Sequence, residues 1–215
     1  MPIVQLQSEF AAALSIAPPS YTWSGKPAAA GNSGMIIRVT DQMNSLWRSD
    51  GTYWLPEGGS QLVHAPVLSS AQAQSASLAL VASVPGWQMP NDMVSIPRLH
   101  IDTEVVATFT SPSAVQARSL RVGSNSSGAY VIYGTSLVGA TQLLVLRGRA
   151  HRRGDSTDYV RPGFNEQLMS SSVFDTVTAA NLTSAPISLY YQGGNSDGSE
   201  IATFHSFTIR VGLGP

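Results

Sequence analysis

Cysteine is absent from the 215 residues. That absence removes disulfides, zinc–thiolate centres, iron–sulfur clusters and cysteine nucleophiles from consideration. Charge is scarce too: charged residues make up 12% and the formal net charge is −1. A chain that held nucleic acid through phosphate contacts would be basic, so no nucleic-acid partner is expected. Lysine occurs once, at Lys26, against eleven arginines. No apolar run is long enough for a membrane helix, so no membrane insertion is expected. The first ten residues have neither a basic stretch nor a long apolar one, and read as no signal peptide. The G-x-S-x-G, Walker A and H-E-x-x-H patterns are missing. The expectation is a non-enzymatic protein with no cofactor and no resident metal.

What is present is Gly, Ser, Thr, Ala and Val in abundance. Low charge with many small and β-branched residues suits sheets whose surfaces are polar through hydroxyls. It also suits a subunit that hides surface in an assembly. The helical signal is confined to residues 3–16, where Val4, Leu6, Phe10 and Leu14 fall near one face and Pro18–Pro19 ends the run. That helix either packs on the domain or docks on a partner. Residues 17–34, rich in Pro, Gly, Ala and Ser, read as linker or extended arm. Three units follow: an attachment helix and arm over 1–34, a small β-meander over 35–58, and a β-sandwich over 59–215.

The meander is predicted from Met35–Thr40, Leu46–Ser49 and Thr52–Leu55, with a turn over Asp41–Ser45 and another at Asp50–Gly51. Asp-Gly between apolar runs is a strong hairpin signal, because glycine accepts positive φ without penalty. A unit of that size is not stable alone and must pack on something. Beyond it, β-type runs occupy Gln61–Val67, Ser75–Ser83, Leu99–Phe109, Ser119–Val122, Ala129–Tyr133, Thr141–Arg149, Ser172–Asp175, Ile187–Gln192 and Ile201–Val211. In the strongest, Ile101, Thr103, Val105, Ala107 and Phe109 share one face, opposite His100, Asp102, Glu104, Val106, Thr108 and Thr110. In the last, Ala202, Phe204, Ser206, Thr208 and Arg210 oppose Ile201, Thr203, His205, Phe207, Ile209 and Val211. The fold class expected is all-β, an antiparallel sandwich of jelly-roll type.

Candidate chemistry is thin. His100, Asp102 and Glu104 are spaced like ligands or an acid–base pair, but alternation alone explains them. Arg147, Arg149, Arg152 and Arg153, with His151, form the only basic cluster. It either bridges to acidic groups of a neighbouring subunit or is a solvated hairpin end, with phosphate, sulfate or acidic-glycan binding ranked below both. Arg153-Gly154-Asp155 spells an adhesion tripeptide by chance, and the sequons at Asn125 and Asn181 mark turns. Tyr190 and Tyr191 are candidate ligand contacts, since adjacent strand residues point to opposite faces.

The segment Ile37-Arg38-Val39-Thr40-Asp41, continuing through Ser45-Leu46-Trp47-Arg48-Ser49-Asp50-Gly51-Thr52-Tyr53-Trp54-Leu55-Pro56, resembles an element of bacteriophage virion proteins. There a "V-T-D … L-W-x-S-D-G-T-x-W-x-P" stretch joins an N-terminal attachment segment to a distal domain, in tail fibres, tail spikes and head-attached fibres. Residues 60–215 are similar, in layout, to the β-sandwich domains of phage fibres and small trimeric virion proteins. The resemblance implies a structural component of the virion, assembled in the bacterial cytoplasm. It implies a homotrimer, other virion proteins bound through residues 1–58, and a host cell-surface glycan as a further partner. Trp47, Asp50, Gly51 and Trp54 are the implied connector residues. A short tail fibre or receptor-binding component is the first reading. A capsid decoration or head-fibre protein is the alternative, and a stand-alone carbohydrate-binding module stands behind both.

Overall fold

The computed structural model describes residues 17–68, 71–73, 79–82, 84–110, 116–124, 130–138, 141–152, 158–161, 175–192 and 201–214. The helix expected over 3–16, Arg153 with its tripeptide, Asn125 and the Gly-rich loop after Gln192 lie outside them.

Four short strands form the N-terminal sheet: β1 (Ser20–Tyr21), β2 (Ile36–Val39), β3 (Ser45–Ser49) and β4 (Trp54–Pro56), in that spatial order. The segment 17–34 was expected to be a linker or extended arm. Instead β1 pairs in parallel with β2, and Trp23 packs edge-on against Trp47 with ring centroids 4.7 Å apart. Trp54 donates its indole N–H to the Pro27 carbonyl, 2.9 Å, and Ser49 donates its hydroxyl to the Ala29 carbonyl, also 2.9 Å. A Pro/Gly/Ala-rich segment gives no periodic signal, but it follows a surface closely because its side chains are small. The arm is the lid on the meander's tryptophans.

The remaining strands build two sheets. They are β5 (Ser60–His64), β6 (Ala71–Ala73), β7 (Ala79–Leu80), β8 (Leu99–Thr110), β9 (Gln116–Gly123), β10 (Tyr130–Val138), β11 (Thr141–Arg152), β12 (Asp158–Arg161), β13 (Asp175–Thr178), β14 (Ser188–Gln192) and β15 (Ile201–Leu213). A six-residue helix, α1 (Ala179–Ser184), precedes β14. The large sheet runs β13-β12-β11-β8-β15-β5, with β6 also on β15, and the small sheet runs β10-β9-β14-β7. Strands pair from the chain ends inward: β5 and β6 with β15, β7 with β14, β8 with β11, β9 with β10. A long antiparallel ribbon folded over so that successive pairs alternate between sheets is a jelly roll. The hairpin β12–β13 extends the large sheet beyond β11. Residues 172–174 of the run expected as a strand over Ser172–Asp175 lie outside the described residues, and Asp175 opens β13. The strands at 20–21, 71–73 and 158–161 were not expected.

The core lies between the sheets. From the large sheet come Leu99, Ile101, Val105, Ala107 and Phe109 of β8, all buried, as the alternation required. From the small sheet come Leu120, Val122, Leu189 and Tyr191. Tyr191 sits across the gap from Phe109 and Phe204, with centroids 5.7 and 6.0 Å away. Strand β15 departs from the expected faces. Phe204 pairs with Ala107 but Ser206 pairs with Val106, so His205 is an extra residue in a β-bulge. The bulge reverses the parity of the strand. Ala202 and Phe204 before it, and Phe207, Ile209 and Val211 after it, all enter the core. Strict alternation would strand one phenylalanine in water, at a cost of about 1.5–3 kcal/mol.

Candidate functional site

The two connector tryptophans predicted from sequence are held at both ends. Trp47 is fully buried and donates Nε1–H to Ser45 Oγ at 2.7 Å. Trp54 reaches the Pro27 carbonyl as described. Between them Asp50 Oδ1 accepts from the backbone N–H groups of Thr52 and Tyr53, at 2.7 and 2.6 Å. Gly51 takes φ 96°, a value costly for any residue with a Cβ. Arg48 forks onto Glu57 with two bonds of 2.7 Å. The hydrogen bond and then the charge of Glu57 raise the Arg48 pKa, and the same hydrogen bond lowers that of Glu57.

Sequence reasoning missed how this unit is fastened to the sandwich. Asp92, in the segment leading to β8, receives Trp23 Nε1–H at 2.5 Å and Lys26 Nζ at 2.6 Å. Lys26, the only lysine, also donates to the Trp23 carbonyl and lies 4.2 Å from the Trp23 ring centroid. Burial works to raise the Asp92 pKa, but the bonds from Lys26 and Trp23 outweigh it and hold the carboxylate below its usual range. Trp87 donates Nε1–H to Gln42 Oε1 at 2.7 Å, and both residues are buried. Gln61 on β5 accepts from the Leu46 N–H at 3.0 Å and donates to the Glu57 carbonyl at 2.5 Å. All four tryptophans thus satisfy their indole N–H groups, two inside the connector and two across the junction. The partners Gln42, Asp92 and Lys26 carry no local pattern that would have marked them.

The basic cluster resolves into cross-strand pairs on the outer face of the large sheet. Arg147 on β11 faces Glu104 on β8, and Arg149 faces Asp102. Arg147 Nε donates to Glu104 Oε2 at 2.6 Å, and Arg149 donates to both Asp102 oxygens at 2.5 and 2.8 Å. The Asp102 hydrogen bond raises the Arg149 pKa. These are exposed pairs, each worth no more than about 1 kcal/mol. Arg152 instead donates to the Ser95 carbonyl. His100 closes the row, with Nε2 3.3 Å from Asp102 Oδ2 and its ring against Gly212. Burial lowers its pKa and outweighs the opposing charge of Asp102, with Arg149 and His151 acting in the same direction as burial. Asp102 and Glu104 are therefore engaged by arginine rather than converging with His100 on one point.

The tyrosine pair divides as strand geometry demands. Tyr191 is 2% exposed and belongs to the core, which corrects its candidacy as a ligand contact. Tyr190 is half-buried on the opposite face of β14. The outer face of the large sheet also carries apolar side chains: Leu143 is 57% and Ile201 46% exposed, near half-buried Val106 and Val145.

No family model matches this sequence. No curated protein matches it either. Among solved structures, it is similar to the CBM2 module of the evolved Dit of Lactobacillus casei BL23 phage J-1, with 9% identity and TM-score 0.33 over 73% of this chain and 98% of that one. A structure of infectious bursal disease virus, Gx strain, aligns at 7% identity and TM-score 0.36, over 74% of this chain and 34% of that one. Basic winged bean lectin with Tn-antigen aligns at 11% identity and TM-score 0.24, over 74% and 94%. At such values the likeness bears on no function. The strand order by itself defines the class: a jelly-roll β-sandwich with a tryptophan-centred β-sheet fastened to it.

Proposed function

We propose that this chain is a non-catalytic structural protein of a bacteriophage virion, serving as a short tail fibre or receptor-binding component. One observation carries the reading. The stretch from Ile37 to Pro56, whose pattern resembles a virion connector element, folds as a tryptophan-centred meander seated on a jelly roll. Residues 1–58 attach to other virion proteins, and the sandwich is the distal, host-facing part, with a cell-surface glycan as its target. The junction bonds make connector and sandwich a stiff unit suited to transmitting load. Three copies pack through the outer face of the large sheet, covering Leu143 and Ile201 beside the arginine–carboxylate pairs.

The test is immunogold labelling of purified phage particles with antibody raised against the whole protein. Label at the tail is expected. Label on the head moves the protein to the decoration or head-fibre reading, and particles without label overturn the virion assignment. Sedimentation equilibrium at micromolar concentration checks assembly: a trimer is expected, and a monomer removes the three-fold packing.

A further inference from the structure

A cleft of about 470 Å³ opens where the connector meets the sandwich. Its walls are the β2–β3 loop, the end of β5 and the segment Gly86–Gln88. That volume lies in the range of small-molecule sites. Gln42 is only 6% exposed, and its Oε1 is fixed by the Trp87 indole. Its Nε2 hydrogens have no partner among the described residues, although the side chain lines the cleft. Asp41 uses Oδ1 to accept the Trp23 N–H at 2.8 Å, which leaves Oδ2 open. The Asn44 side-chain amide has no bond among the described residues. Gln88 donates Nε2 to the Thr183 carbonyl at 2.5 Å, leaving Oε1 to accept. Met43, Val63 and the Trp87 ring supply apolar wall.

The loop that holds these groups is strained. Ser45 N–H bonds the Gln42 carbonyl at 3.0 Å, and the two residues between, Met43 and Asn44, have φ 54° and 55°. That is a type I′ turn, which favours Asn-Gly, with methionine at the first central position instead. A left-handed methionine costs about 1–2 kcal/mol. It leaves the side chain 48% exposed at the cleft rim. Strain of this kind gathers at binding sites.

Among the described residues no lysine or arginine lines the cleft, and burial lowers the pKa of its one histidine, His64, so an anion finds no countercharge there near neutral pH. Two amide donors, carboxylate and amide acceptors, and an apolar wall match a neutral ligand with vicinal hydroxyls and an exposed C–H face. We propose that this cleft binds one neutral sugar unit of a surface glycan, with Gln42 donating, Asp41 accepting and Trp87 with Met43 against the ring. The inference rests on the glycan-contact part of the proposed function and moves that contact from the distal sandwich to its junction with the connector, which requires the β2–β3 loop to stay uncovered when residues 1–58 attach to the virion.

The full-length protein is titrated with free glucose, galactose, mannose, rhamnose and N-acetylglucosamine, with glucuronate as the anionic control, while amide and indole NMR signals are followed. At least one neutral sugar is expected to saturate with Kd on the order of millimolar. It is expected to shift the Trp87 indole and Gln42 side-chain signals together, with glucuronate weaker. Asp41→Asn retains the acceptor for the Trp23 N–H but puts a donor where the second oxygen was, so binding falls about tenfold. Met43→Gly removes the apolar rim and relieves the left-handed strain, so binding weakens while stability holds or rises. No saturating shift with any sugar, shifts away from the cleft, or unchanged affinity in Asp41→Asn overturns the proposal. So does a cleft that responds only to self-association. If the cleft fails while particles still carry label at the tail, only the sugar site is lost. If it binds sugar and particles carry no label, the virion reading fails and the sugar site stands.

Discussion

Replacing Trp87 by phenylalanine tests whether the connector is truly locked to the sandwich. The phenyl ring fills most of the indole's place, and the backbone pairing of Trp87 with Ile187, at 2.8 and 3.0 Å, is untouched. What disappears is the Nε1–H donated to Gln42 Oε1. That oxygen is then unpaired in a buried residue, at a cost of about 1–3 kcal/mol. The missing pyrrole atoms leave a small cavity, worth about a further 1–2 kcal/mol. Urea unfolding followed by far-UV circular dichroism should show a lower midpoint with unchanged slope. Gln42→Leu alone strands the indole donor instead. The double variant leaves neither group unpaired and should cost about 1–2 kcal/mol less than the two singles added together. Additivity within about 0.5 kcal/mol would refute the reasoning, since it would mean that the two side chains do not bond.

Three further outcomes are expected. A Cβ at Gly212 would sit 2.5 Å from His100 Nε2 and 3.0 Å from the Gly59 carbonyl. Gly212→Ala should therefore destabilise by about 1–3 kcal/mol, less so in a His100→Ala background, by the same urea assay. Burial lowers the pKa of both His64 and His100 in the folded state. Their contribution to stability is fully present above the unfolded value of about 6.5 and is lost as pH falls through the folded values. The urea midpoint should thus drop between about pH 7.5 and about pH 5, and a flat midpoint over that window would count against rings held neutral by the fold. Arg149→Met should cost less than about 1 kcal/mol, and raising salt should shrink the difference from wild type. A larger, salt-independent loss would show that the Arg149–Asp102 pair is more than a surface contact.

Legibility followed the range of the interaction. Strand β8 was readable because its faces alternate without interruption and the core accepted that pattern whole. The Asp50–Gly51 turn was readable because both its chemistry and its φ are local. The arginine cluster was visible, but its carboxylate partners were not, because Asp102 and Glu104 come from a strand more than forty residues away. Alternation showed that Tyr190 and Tyr191 face opposite ways but not which one faces inward, and only the position of β14 between β9 and β7 put Tyr191 against Phe109 and Phe204. In β15 the bulge at His205 undid a period that the residues themselves display.

By itself, then, the sequence determined the all-β class, the faces of its cleanest strand and the tight turn of the meander. Each follows from alternation and backbone preference over a few residues. The tertiary structure decided the nesting of strand pairs, the parity of β15, and the seating of the Pro/Gly/Ala-rich arm and the meander on the sandwich through Lys26, Asp92 and Gln42. Those depend on which distant surfaces bury each other and on finding a partner for every buried indole, amide and carboxylate. No local pattern encodes that choice.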